Sequence, residues 1–308
     1  MKCAAPFIEM RQSMRHALRV SRDDASTIAP HAQLDHATFS REGLQQCQDL
    51  LSSEQLIQLE AAVHATLTSA TSDLATSTRL HEQLTWPCGR KGLAISRNGN
   101  RWELTVPAAP QQHLEWLSDL LGGDERQVAL LEQISAVMPP RAVLIRAGFV
   151  LALPTLPSHR DRVQDVHPDL NPAFEALEAG QSCTVLVPLT DVATDSGMGG
   201  TEVLMGSHTY AKSTERFDAL KQAFDADGAD EIVLPNNVRP PVATVTRRGC
   251  GYVLDSFVLH RGLANGSGAP KALLYLVCST PGALDVVMEA DKQNDNAPRE
   301  KGMRKRKR

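Results

Sequence analysis

In the first half of the chain, apolar residues recur every three to four positions, which is the spacing of one helix face. A helix is predicted to open at Ser53, where a serine side chain can cap the first turn. A second helical segment is predicted from Gln111 to Met138, interrupted at Gly122-Gly123 and ended by Pro139-Pro140. The apolar positions of the first helix are Leu56, Leu59, Val63 and Leu67. The first half is therefore predicted to be helical up to about residue 140.

From Ala142 onward, the pattern changes to short β-rich runs separated by turn residues. One earlier hairpin is predicted over Leu93 to Val106, because Asn98-Gly99 supplies the positive φ that a tight turn needs. Helices followed by many short strands predict an α+β fold whose second half is an antiparallel barrel or sandwich. The predicted strands are Ala142–Leu153, Cys183–Leu189, Thr201–Leu204, Ala243–Thr246, Tyr252–Val258 and Ala272–Val277.

Three regions are predicted along the chain. Residues 1–40 are an N-terminal extension, residues 41–288 are a single domain, and residues 289–308 are a disordered basic tail. The extension fits either a mitochondrial presequence or an ordinary solvated helix, and the tail fits either a nuclear-import or anion-binding segment or solvated charge alone. The basic residues that recur every four positions in the extension are Arg11, Arg15 and Arg19.

A long connection joins two of the predicted strands, from Ser207 to Pro241. A helix is predicted within it over Ser213 to Phe224. Long connections of this kind act as lids over active sites or are inert surface insertions, and the sequence leaves both alternatives open.

Composition excludes several classes of protein. Hydrophobic residues make up 42% of the 308 positions, which is ample for a packed core. No run approaches the roughly 18 uninterrupted apolar residues of a membrane span. The net charge is −4 in spite of the basic tail, so the acidic body predicts no broad nucleic-acid surface. The six cysteines are scattered without CxxC spacing, which favours reduced thiols and a cytoplasmic location.

Three side chains are candidate metal ligands: His159, Asp161 and His260. On an extended strand, residues i and i+2 point to the same face, so His159 and Asp161 can reach one metal ion. His260 ends the apolar strand from Tyr252, where the mouth of a barrel would bring it beside the pair. Two histidines and one carboxylate are the ligand set of non-haem Fe(II) oxygenases.

HxD by itself is a weak signal, because this chain contains a second one at His167-Pro168-Asp169. The surrounding sequence strengthens the assignment of the first pair, His159 and Asp161, as metal ligands. From Leu156 to Asp285, the sequence resembles the phytanoyl-CoA dioxygenase-like family of Fe(II)/2-oxoglutarate oxygenases. The motifs that carry the resemblance, in chain order, are Ser158–Asp161, Thr184–Val192, Gly199–His208, Gly251–Ser256 and Leu259–Asn265.

The resemblance implies a double-stranded β-helix, or jelly roll, with His159, Asp161 and His260 as iron ligands. It favours His159 and Asp161 over His167 and Asp169, because the first pair precedes the Thr184 strand by the interval usual in the family. The resemblance also implies that Fe(II), O₂ and 2-oxoglutarate take part, with ascorbate as a further reductant.

Lys271 stands eleven positions after His260, where the family normally has the arginine that pairs with the distal carboxylate of 2-oxoglutarate. Lysine offers a point charge instead of a planar fork, so we expect binding that is weaker but retained. The alternative is that Lys271 is merely exposed and that co-substrate binding has been lost.

The implied activity is hydroxylation of an unactivated C–H bond in a small organic substrate, coupled to decarboxylation of 2-oxoglutarate to succinate and CO₂. Retention of Asp161 favours hydroxylation over halogenation, since related halogenases lack this carboxylate. Two alternatives stay open: a catalytically degenerate jelly-roll binding protein, and an oxygenase that modifies a macromolecule docked on the basic tail. The sequence predicts neither the substrate nor the oligomeric state.

Overall fold

The computed structural model describes residues 36–68, 74, 81–96, 101–106, 110–123, 142–154, 163–170, 181–192, 197–225 and 234–280. The basic extension up to residue 35, the tail after residue 280, and the predicted ligands His159 and Asp161 lie outside these residues. In the described part of the chain, no helix combines the length and apolar composition that crossing a membrane requires.

Helices and strands both occur in the first half of the described chain. The helices are α1 (His36–Glu42), α2 (Ser53–Thr68), α3 (Pro110–Leu121) and α4 (Thr214–Asp225), with a 3-10 turn at Ser207–Tyr210. The first strands are β1 (Leu44–Cys47), β2 (His81–Thr85), β3 (Lys91–Ser96) and β4 (Arg101–Thr105). The later strands are β5 (Val143–Ala152), β6 (Ser182–Pro188), β7 (Thr201–Val203), β8 (Val242–Ala243), β9 (Gly251–Asp255), β10 (His260–Gly262) and β11 (Lys271–Ser279).

The strands form two antiparallel sheets that follow jelly-roll topology. The large sheet has the order β1-β9-β6-β11-β5-β4-β3-β2, and the small sheet has the order β10-β7-β8. An isolated bridge from His167 to His260 extends the small sheet on its other side. From β5 to β11, the chain crosses repeatedly between the sheets: β5, β6, β9 and β11 lie in the large sheet, and β7, β8 and β10 lie in the small one. Each sheet thus supplies one wall of the interior. This arrangement confirms the predicted α+β fold with a double-stranded β-helix core.

The two faces of the large sheet have different environments. Its outer face packs against α2 and α3 around Trp86, Trp116 and Phe149, with the two tryptophan rings 4.9 Å apart edge to face. Its inner face meets the small sheet and mixes apolar with polar side chains. On the far side of the small sheet, α4 packs its apolar residues against Leu204 and Leu259. The largest apolar cluster therefore lies on the outer face of the large sheet, and a smaller one joins the inner faces of the two sheets.

The cap of α2 lies one residue earlier than predicted. The side chain of Ser52 accepts the backbone N–H of Gln55 at 3.2 Å, and the Gln55 side chain accepts the N–H of Ser52 at 2.8 Å. This reciprocal pair is a capping box, which satisfies two backbone donors that the first helical turn would leave unpaired.

Three strands and one helix were missed by the hydrophobic pattern. The strand predicted from Tyr252 to Val258 ends at Asp255 as β9, and His260 does not end it but begins a separate strand, β10, in the small sheet. β2 has one apolar residue in five, Leu84, so period-two alternation cannot reveal it. β1 pairs with β9 at the edge of the large sheet, through contacts that no local pattern encodes. Phe39 of α1, within the predicted extension, is buried in the main core. The predicted hairpin is present as β3 paired with β4, although its Asn98-Gly99 turn lies outside the described residues.

Candidate metal centre

Antiparallel pairing of two segments brings the imidazoles of His167 and His260 together. The backbone N–H of each residue donates to the carbonyl of the other, both at 3.0 Å. The ring centroids are 4.5 Å apart. Asp169 lies two residues after His167, and its Oδ1 is 3.7 Å from Nε2 of His260. One ligand atom from each of the three side chains lies within 4.8 Å of the other two. Among the described residues, this is the cluster that fits a metal ion.

In each of the three side chains, a hydrogen bond to a neighbouring group engages one polar atom and leaves the other available to bind a metal ion. Nδ1 of His260 is 3.0 Å from the carbonyl of Val258, and Nδ1 of His167 is 2.8 Å from that of Asp165. A carbonyl only accepts, so each Nδ1 carries a hydrogen, and Nε2 is the ring atom that is left to bind a metal ion. The Gln164 amide nitrogen lies 3.3 Å from Nε2 of His167, a hydrogen bond that a metal ion would replace.

The carboxylate of Asp169 is oriented in the same way. The hydroxyl of Thr184, on β6, donates to Oδ2 of Asp169 at 2.6 Å, which leaves Oδ1 toward His260. Outer hydrogen bonds of this kind hold ligands in place in metal sites. The large sheet thus fixes the aspartate while the small sheet fixes the histidines.

Charge state also suits metal binding. Enclosure by the protein, followed by repulsion from His260, lowers the pKa of His167 well below its usual value. The ring is therefore neutral at pH 7, which is the form that binds a metal ion. Two imidazole nitrogens and one carboxylate oxygen fit a non-haem iron centre better than a closed zinc site, which takes four nitrogen or sulfur ligands.

The structure places only one of the three predicted ligands, His260, in this cluster. His159 and Asp161 lie outside the described residues, so their role stays a prediction. Sequence reasoning ranked His167 and Asp169 below the other HxD pair, yet these are the residues that the structure brings to His260. The sequence did contain one indication of this pair, which is the apolar residue on each side of it. Val166 and Leu170 are 1% and 4% exposed, as expected for an extended segment anchored in a core.

Lys271 is buried at the inner face of the large sheet, with 5% of its surface exposed. This burial excludes the alternative that Lys271 is merely exposed. Its Nζ donates to the carbonyl of Gly199. Burial, with a smaller contribution from the positive charge of Arg101, lowers the pKa of Lys271 to about 7.

Arg101 is a second buried cation on this face, and sequence reasoning missed it. Its guanidinium donates to the carbonyl of Leu263, and burial lowers its pKa to about 10. Neither Arg101 nor Lys271 forms an ion pair with an acidic side chain in the described ranges. Arg146 differs, because it pairs with buried Glu103, which also accepts the hydroxyl of Tyr275 at 2.5 Å.

Comparison with known proteins gives likeness at the level of the fold. No family model matches the sequence, and no curated protein matches it significantly, so the resemblance to the phytanoyl-CoA dioxygenase-like family stays a prediction. Solved structures do align. The non-haem α-ketoglutarate-dependent epimerase SnoN from nogalamycin biosynthesis is 20% identical with a TM-score of 0.47, over 79% of this chain and 81% of that one.

Two further structures align to a similar extent. EctD from S. alaskensis with bound Fe is 15% identical with a TM-score of 0.48, over 82% of this chain and 79% of that one. EvdO2 from Micromonospora carbonacea var. aurantiaca, complexed with 2-oxoglutarate, is 15% identical with a TM-score of 0.49, over 83% of this chain and 92% of that one. At this level of similarity, the activities of those proteins do not transfer to this chain.

Removing the hydroxyl that orients Asp169 should weaken metal binding. Thr184→Val keeps the shape of the side chain but loses the hydrogen bond to Oδ2, so we expect the affinity for Fe(II) or Co(II) to fall about 10- to 100-fold. Anaerobic metal titration measures this. The matched control is Thr105→Val, whose hydroxyl donates to the carbonyl of Ala147 and not to a ligand. Equal affinities of the two variants would contradict the orienting role.

The lowered pKa of Lys271 predicts how stability depends on pH. The unfolded chain, with a lysine pKa near 10.5, binds one more proton than the folded chain between pH 7 and that value. The free energy of unfolding contributed by this group therefore rises with pH above 7, by about 1.4 kcal/mol per unit. Denaturant unfolding at pH 7, 8 and 9 measures the slope in wild type and Lys271→Met.

We expect this component of the slope to be absent in Lys271→Met, since the variant has no group to titrate. The buried thiols of Cys47, Cys183 and Cys278 are present in both proteins and cancel in the difference. Parallel profiles for wild type and variant would show that the ammonium of Lys271 is not destabilised by the fold.

Proposed function

We propose that this protein is a non-haem iron, 2-oxoglutarate-dependent oxygenase that hydroxylates a small organic molecule. The observation that carries the proposal is the convergence of His167, Asp169 and His260 between the two sheets of a jelly roll. In this proposal, Nε2 of both histidines and one carboxylate oxygen of Asp169 bind the iron. The rival ligand set replaces His167 and Asp169 with His159 and Asp161 and keeps His260.

The proposed co-substrate is 2-oxoglutarate, with Lys271 facing its distal carboxylate. Support comes from the burial of an ammonium group that has no acidic partner among the described residues. A buried charge is costly unless it is paired, so a ligand carboxylate is a natural counter-charge. Its position eleven residues after His260 agrees with the place of the basic residue in the family that the sequence resembles.

Bound iron, 2-oxoglutarate and O₂ would together supply the oxidising chemistry, releasing succinate and CO₂, with ascorbate keeping the metal ferrous. The chain itself would supply the three protein ligands that hold the metal. Three side chains on one side of the metal leave its other positions to exogenous ligands. The carboxylate of Asp169 would hold the metal where related halogenases bind a halide, and its presence therefore favours hydroxylation.

No observation in the described residues favours the degenerate binding protein or the macromolecular substrate. The donor atoms of the cluster are oriented as a working metal site requires, which argues against degeneracy. The basic tail invoked for a macromolecule lies outside the described residues, and a cytoplasmic location stays a prediction.

Single substitutions distinguish the two ligand sets. His167→Ala and Asp169→Ala should each abolish succinate release with Fe(II), ascorbate and 2-oxoglutarate, and lower Co(II) affinity at least about 10-fold, because each removes a ligand. The matched variants His159→Ala and Asp161→Ala should retain both properties. Succinate formation and anaerobic Co(II) titration are the measurements.

The reverse pattern would assign the iron to His159 and Asp161 and overturn the ligand set proposed here. Wild-type protein that binds no divalent metal, and forms no succinate with any candidate substrate, would overturn the oxygenase proposal as a whole.

A further inference from the structure

Arg101 opens β4 and lies in line with Lys271 across the large sheet. In the register of the strands, Arg101 is opposite Ala152 of β5, and Ala152 is opposite Lys271 of β11. The two cations are therefore separated by one strand and lie at the same level. Alternation along β4 directs Trp102 and Leu104 to the helix-covered core, which leaves Arg101 on the inner face with the metal cluster.

The fold holds these two cations at a cost in free energy. Arg101 is 4% exposed and Lys271 is 5% exposed, and both donate only to backbone carbonyls in the described structure. Burying a charge without a counter-charge is unfavourable, and two like charges side by side add repulsion. On the same face, Arg146 is neutralised by Glu103, so the fold is able to provide an acid where a cation has a structural role.

Close packing places the guanidinium against the strand that carries a metal ligand. A Cβ at Gly262 would overlap Nη1, Nη2 and Cζ of Arg101, so the glycine makes room for the guanidinium. Gly262 lies two residues after His260 on the same face of β10. Two residues of a strand span about 7 Å, which is within reach of a five-carbon dicarboxylate bound to the metal at one end.

We propose that Arg101 is a second binding residue for the co-substrate, so that its guanidinium and the ammonium of Lys271 share the distal carboxylate of a 2-oxo dicarboxylic acid. This inference rests on the proposed function. Arginine supplies the planar two-donor fork that a lysine lacks. It also makes the site selective, because a 2-oxo acid without the distal carboxylate leaves both cations unpaired.

Binding of two ligands to the Co(II)-loaded protein under anaerobic conditions tests this role. The probes are 2-oxoglutarate and 2-oxopentanoate, which has the same carbon chain without the distal carboxylate. In Arg101→Met, we expect the affinity for 2-oxoglutarate to fall on the order of 10- to 100-fold, as for loss of a charge-assisted hydrogen bond. The affinity for 2-oxopentanoate should stay within about twofold of the wild-type value.

Two further variants separate charge, shape and folding. Arg101→Lys should show an intermediate loss for 2-oxoglutarate, because it keeps the charge but not the fork. The matched control Arg90→Met removes a surface guanidinium that pairs with Glu115 and Asp119, and should bind both probes as wild type does. Without ligand, Arg101→Met should unfold at a temperature no lower than wild type, since an unpaired buried charge has been removed.

Unchanged 2-oxoglutarate affinity in Arg101→Met would overturn the inference. An equal loss of affinity for both probes, with or without a lowered unfolding temperature, would also overturn it. That result would assign Arg101 a structural role alone. These results leave the proposed function standing, provided that the wild type binds metal and 2-oxoglutarate. A wild-type protein that binds neither overturns the proposed function and this inference together.

Discussion

The antiparallel pairing of His167 with His260 is the interaction on which the site depends. Two reciprocal backbone hydrogen bonds of 3.0 Å set these residues directly opposite each other. Because side chains alternate between faces, a slip of one residue would turn one imidazole away from the other and move Asp169 with it. The metal centre is thus a consequence of strand register, and the hydroxyl of Thr184 then fixes the remaining freedom of the carboxylate.

Stability and chemistry are divided between the two sides of the large sheet. On the outer side, helices cover an apolar core around Trp86 and Trp116, which contributes the favourable burial. The inner side carries neutral His167, an oriented carboxylate, and two cations that have no acidic partner among the residues described. Such an interior reduces stability, and it is retained where function requires it. The asymmetry explains how one small jelly roll supports a polar centre.

Local pattern predicted the elements that have strong periodicity, such as α2, the β3–β4 hairpin and most strands of the second half, but not β10. It missed β2, which has a single apolar residue, and it also missed the contribution of Arg101. That residue reaches the site only because β4 joins the sheet beside β5. The pairing of the HxD at His167 with His260 is likewise a long-range contact, and neither motif spacing nor family resemblance encodes it. Lys271 was found because a resemblance marked its position, whereas its burial needed the structure.

The most direct test of the central claim is the anomalous scattering of iron in crystals grown anaerobically with Fe(II). The account predicts one peak at bonding distance from Nε2 of His167, Nε2 of His260 and a carboxylate oxygen of Asp169. A peak bound to His159 and Asp161, or a peak that lacks either His167 or His260, would contradict it.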